Sequence, residues 1–145
     1  MDFINRLIHA LTELHPTHPM LVHFPIALTG AAFLFIILAY WRNNSSLEQA
    51  AFANIVLAVL GTIAAGITGV MDNARNYEGE APNAGIKLTL AITLLLLTSG
   101  ISIVRYRNPD LFQKANRLLY ISSYGASFAI AIVLAFLGGV ILYGF

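Results

Sequence analysis

Residues Pro19 to Trp41 read PMLVHFPIALTGAAFLFIILAYW, a run without one Asp, Glu, Lys or Arg. About 20 apolar residues suffice for an α-helix to cross the hydrocarbon core of a bilayer. Hydrocarbon offers no water to unpaired amides, so such a run satisfies its own backbone as a helix. Working outward, three further runs reach the same length, roughly Ala50 to Met71, Gly85 to Val104 and Leu118 to Phe145. None alternates apolar with polar residues, which argues against barrel strands. The expected fold is an all-α membrane protein, a four-transmembrane-helix bundle over residues 19–145. Residues 1–18 precede it as an amphipathic interfacial segment. There Phe3, Ile4, Leu7, Ile8, Leu11 and Leu14 recur at helical spacing among Asp2, Asn5, Arg6 and Glu13. That segment lacks the basic start and continuous apolar core of a signal peptide.

Composition agrees. Of 145 residues, 58% are hydrophobic and 10% charged, where soluble domains carry about 25% charged residues. A net charge of +1 offers no bulk field for nucleic acid. With no cysteine, disulfides, thiolate metal sites and covalent c-type haem attachment are excluded. The links are polar: Arg42 to Ser46, where Ser46 with Gln49 suits a capping box, then Asp72 to Asn83, and a link opened by Arg105 to Asp110. Arg42, Arg105, Arg107, Lys114 and Arg117 fall on one side, against Arg6, Arg75 and Lys87 on the other. The positive-inside rule then places both termini outside a bacterial inner membrane.

Close helix contact in lipid comes from small residues. Span 4 has the row Ser123, Ser127, Ala131, Ala135, Gly139, and span 2 has Asn54, Ala58, Gly61, Ala65, Gly69. Both rows are expected to face protein, joined by Thr89, Thr93 and Gly100 on span 3 and by His23, Ala27 and Ala31 on span 1. No charged residue sits at the centre of a span, where pumps and proton-coupled carriers usually have one.

All four histidines precede residue 24, in the stretch that includes HPTHPMLVHFPIAL at 15–28. A histidine at lipid depth is costly unless it is hydrogen-bonded or coordinates something. Asp72 closes span 2 at the same membrane face as His18 and His23. A carboxylate bonded to one imidazole nitrogen would free the other as a ligand. Thr68 to Asp72 reads TGVMD.

With its HPMLVHFPIAL run at 18–28 and this TGVMD ending, the chain resembles an uncharacterised family of predicted four-span bacterial membrane proteins. Their signature is HPxxVHFPIAL, and they occur beside or fused to Rieske-type and cytochrome-like redox partners. The resemblance implies an electron-transfer setting with His18, His23 and Asp72 as cofactor-binding residues. Family members often place a further histidine before or within the third span; the stretch Ala81 to Lys87 has none.

The expected function is an integral membrane subunit of a respiratory or photosynthetic electron-transfer complex. In it, a b-type haem or another tetrapyrrole is held through His23 near the outer face. His18 and His23 are about 7.5 Å apart along a helix and point to different faces, so they do not clamp one iron from both sides. Two alternatives stay open. One is a cofactor-free accessory subunit that stabilises a larger membrane complex by docking against other subunits or redox proteins. The other is copper or zinc bound by His15, His18 and His23, with Met20 or Asp72 nearby. No nucleophile–base–acid constellation is visible, so no catalytic activity of its own is expected.

Overall fold

A computed structural model describes residues 3–5, 17–114 and 116–143. Its long elements are four helices: α1 (Thr17–Arg42), α2 (Ser45–Asn76), α3 (Ala84–Arg107) and α4 (Arg117–Tyr143), with a 3-10 turn (Leu111–Gln113) before the last. All four are long and apolar enough to cross a membrane. The all-helical four-span architecture stands as expected. Residues 3–5 are helical, with Phe3 and Ile4 exposed; the rest of the 1–16 segment lies outside the described residues, His9 and His15 included.

Each helix packs against the next in the chain, and α1 closes the ring against α4. The α1–α2 and α3–α4 connections share one end with most of the basic residues, here called the basic face. The start of α1, the α2–α3 connection and the end of α4 share the opposite, motif face. At 1.5 Å per residue α2 is about 48 Å long. That exceeds a hydrocarbon core of about 30 Å, so it tilts or projects.

The helix boundaries have local causes. Asn44, not Ser46, caps α2: its side-chain oxygen accepts from Ser46 N at 2.8 Å and Leu47 N at 3.3 Å. The helix therefore starts at Ser45 and takes in Glu48, which the apolar run had left outside the span. Asn54 donates to Ala50 O at 2.8 Å within its own helix.

Burial follows a 3–4 alternation. On α1 it runs His18, Val22, Pro25, Thr29, Ala32, Ile36, Ala39; on α2, Glu48, Ala51, Ile55, Ala58, Thr62, Ala65, Gly69. Such spacing averages 3.5 residues and gives a continuous seam between coiled helices. The same rhythm marks Leu94, Thr98, Ile101, Arg105 on α3 and Tyr120, Tyr124, Ser127, Ala131 on α4. Buried hydroxyls satisfy themselves within their helices: Thr29 on Pro25 O, Thr62 on Ala58 O, Thr98 on Leu94 O and Ser127 on Ser123 O. Outward-facing leucines such as Leu34, Leu60 and Leu96 are exposed, as lipid contact requires.

Two expected stripes are corrected. His23 and Ala27 on α1, and Thr89 and Thr93 on α3, are exposed rather than packed, because they lie off the 3.5-residue seam. The α4 row is buried only in mid-helix, at Ser127 and Ala131, half-buried at Ser123 and Gly139, and exposed at Ala135. The α2 row does face protein: Ala58 is fully buried, and a Cβ built on Gly61 would lie 3.2 Å from the Pro25 ring.

The α1–α4 contact rests on two reciprocal pairs. A Cβ on Gly30 would lie 2.9 Å from the Phe128 ring, and one on Gly125 would lie 3.1 Å from the Phe33 ring. Each phenyl occupies the space its partner glycine leaves, and the two rings meet at 6.1 Å between centroids.

Candidate functional site

Two polar clusters end the bundle, one at each face. At the basic face, Glu48 of α2 is 2% exposed. Arg105 of α3 grips it twice, Nε on Oε1 at 2.6 Å and Nη2 on Oε2 at 2.8 Å. Tyr120 of α4 donates its hydroxyl to Oε1 at 2.7 Å. A carboxylate only accepts, so the Tyr120 proton points at Glu48. The 2.7 Å bond between the two tyrosine hydroxyls is therefore donated by the fully buried Tyr124. The Arg105 guanidinium also covers the Phe52 ring at 5.4 Å.

Three helices are thus tied at one point, and no buried side-chain nitrogen or oxygen among the described residues lacks a partner. Losing one partner of such a pair costs about 3–5 kcal/mol, because the other charge stays buried. Sequence reasoning missed this cluster. The signal was available: Glu48 and Arg105 are the next rungs of the α2 and α3 seams beyond Ala51 and Ile101.

At the motif face, His18 lies on the α1 seam and turns into α2. Its Nδ1 is 3.3 Å from the Thr68 hydroxyl. That hydroxyl spends its one proton on its own helix, at Ala64 O (3.0 Å) and Ala65 O (3.2 Å), so it accepts and His18 Nδ1–H donates. The ring lies flat over Gly69, where an added Cβ would be 2.8 Å from Cε1. Gly69 is what lets the two backbones close around the imidazole.

Asp72 and Lys87 lie within electrostatic reach of His18. The expected Asp72–imidazole bond is not formed. Asp72 instead accepts from Asn76 Nδ2 at 2.6 Å, because it sits one turn beyond the Thr68–Gly69 level at which His18 docks. Lys87, the α3 seam residue at this corner, was also missed.

His23 takes a different direction. Five residues after His18, it is rotated roughly 140° around α1 and is exposed. Its Nδ1 bonds the Pro19 carbonyl. A carbonyl only accepts, so Nδ1 carries the proton and Nε2 presents its lone pair outward. The side chain continues the α4-facing row His23, Ile26, Gly30, Phe33. Extending the register of the phenyl–glycine pairs brings His23 level with Ala135 and Pro19 level with Gly139. The row is open there: Ala135 is exposed, and nothing lies within 4 Å of a Cβ built on Gly138 or Gly139.

The structure thus brings His18 and Asp72 to one corner and turns His23 away from both. Among the described residues no three His, Asp or Glu side chains converge on a metal-sized point. Met20 is exposed, and His15 is outside the described residues.

A family model described as predicted membrane protein (DUF2231) matches residues 14–145. The chain belongs to this family. The match takes in the histidine segment, both polar clusters and all four spans. No curated protein and no solved structure matches the chain.

Proposed function

We propose that this protein is an integral membrane subunit of an electron-transfer complex, and that His23 supplies one axial imidazole to a b-type haem or other tetrapyrrole at the open end of the α1–α4 row. The observation that carries the reading is the His23–Pro19 bond. It holds the ring in one tautomer and aims Nε2 away from the helix, as a backbone carbonyl does behind many metal-bound histidines. The small residues Ala135, level with His23, and Gly138 and Gly139, one turn further out, leave room for a flat group. The second axial position belongs to a partner chain, since His18 is docked on α2. The excess of basic residues at the opposite face supports an orientation with this end outside the cytoplasm.

The test is a reduced-minus-oxidised spectrum of the protein extracted in mild detergent with its partners. A b-type band that survives His18→Ala and vanishes in His23→Ala is expected. A flat spectrum of the native extract overturns the reading.

A second reading, a cofactor-free accessory subunit, is favoured by one observation. The α3 positions Gly85, Thr89 and Thr93 form an exposed small-residue face at i, i+4 spacing, suited to another helix. Under that reading the extract is colourless and the chain elutes with other membrane proteins; a partner-free monomer counts against it.

A further inference from the structure

The basic face carries a concavity that neither polar cluster uses. Its volume is about 400 Å³, and Asn43, Ser45, Phe112, Gln113 and Arg117 line it. That is within the range of small-molecule sites, about 300–1,000 Å³. The lining comes from the α1–α2 link, the start of α2, the 3-10 turn and the start of α4. Four of the five side chains can donate a hydrogen bond, and one is a guanidinium.

We propose that this concavity binds the phosphodiester of an acidic glycerophospholipid. The Arg117 guanidinium lies 5.0 Å over the Tyr40 ring, and no carboxylate pairs with it among the described residues. Planar bidentate donation to phosphate oxygens is the chemistry this group performs best. Asn43 holds a left-handed turn at φ 47°, a conformation asparagine tolerates, which sets its amide on the rim. Of the other carboxylates on this face, Glu48 is consumed by Arg105 and Asp110 is not in the lining. Arg42, Arg107 and Lys114 add positive potential.

The bordering residues decide between a lipid and free phosphate. Trp41 (75% exposed), two residues before Asn43, and Leu118 (64%) and Leu119 (73%), directly after Arg117, are exposed apolar side chains at the same ends of α1 and α4. An anion with two acyl chains satisfies both the donors and this apolar border. Inorganic phosphate satisfies only the donors.

The test uses the full chain in detergent, with native mass spectrometry after addition of phosphatidylglycerol, phosphatidylcholine or inorganic phosphate. We expect phosphatidylglycerol to be retained in preference to phosphatidylcholine. Arg117→Gln should weaken retention about tenfold, the loss of one charged hydrogen-bonding partner. Asn43→Gly keeps the left-handed turn while removing the amide, and should weaken retention to a lesser degree. It also serves as the reading if Arg117→Gln fails to fold. Arg107→Gln removes the same charge from outside the concavity and should retain lipid like the parent. Equal retention of the two lipids, unchanged retention in both Arg117→Gln and Asn43→Gly, or an equal loss in Arg107→Gln overturns the proposal. Displacement of phosphatidylglycerol by millimolar inorganic phosphate assigns the site to the free anion and overturns the lipid assignment.

Discussion

The Glu48 corner and the His18 corner close opposite ends of the same seams, yet they are built differently. Glu48 accepts three hydrogen bonds from two helices at 2.6–2.8 Å and is buried from solvent. His18 makes one bond of 3.3 Å and rests on a glycine, beside two charges it does not contact directly. The first arrangement holds register among three helices and leaves no group available for chemistry. The second holds one pair of helices together and leaves a ring nitrogen, a carboxylate and an ammonium group uncommitted to one another. Polarity at a helix end therefore does not by itself indicate function; the degree of satisfaction is what separates the two corners.

The sharpest way to break this comparison is Glu48→Gln. It leaves the Arg105 charge buried beside a neutral amide, so equilibrium unfolding in mixed detergent should show a loss of about 3–5 kcal/mol. A loss no larger than that of His18→Ala would end the distinction between the corners. Gly69→Ala comes next. Its methyl must push the imidazole off α2, at about 1–3 kcal/mol. In combination with His18→Ala most of that cost should disappear, and a double-mutant cycle reads the coupling; simple additivity would mean that the two do not touch. Tyr124→Phe removes one donor from the end of the tyrosine chain and should cost about 1 kcal/mol by the same unfolding measurement. His23→Ala should be the mildest, within about 0.5 kcal/mol of the parent, while abolishing any haem band. A large stability loss there would show the ring to be a packing element.

Much of the fold was legible in the chain. Length and apolarity of four runs suffice for four spans, since a bilayer accepts little else. The small-residue row of α2 also read correctly, because Ala58, Ala65 and Gly69 lie on the seam and Gly61 beside it meets the Pro25 ring. The α1 row His23, Ala27, Ala31 failed for a physical reason. In a run where nearly every residue is apolar, composition does not distinguish the lipid face from the protein face, and only the 3.5-residue rhythm set by the partner helix does. The same limit hid Glu48 and Arg105. Each sits at the edge of an apolar run, and each looks like a solvated flank until the facing helix is placed.

The chain alone determined that four helices are long and apolar enough to cross a membrane, and roughly which polar residues link them, because backbone hydrogen bonding in hydrocarbon leaves one solution for a long apolar run. Tertiary structure decided which side of each helix is inside. His18 goes in and His23 out, and Asp72 lies one turn beyond the His18 corner, unbonded to either ring. Those outcomes depend on how far one helix slides and turns against the next. That is set by a few close contacts, His18 on Gly69, Pro25 on Gly61 and Phe128 on Gly30, whose partners are distant in sequence.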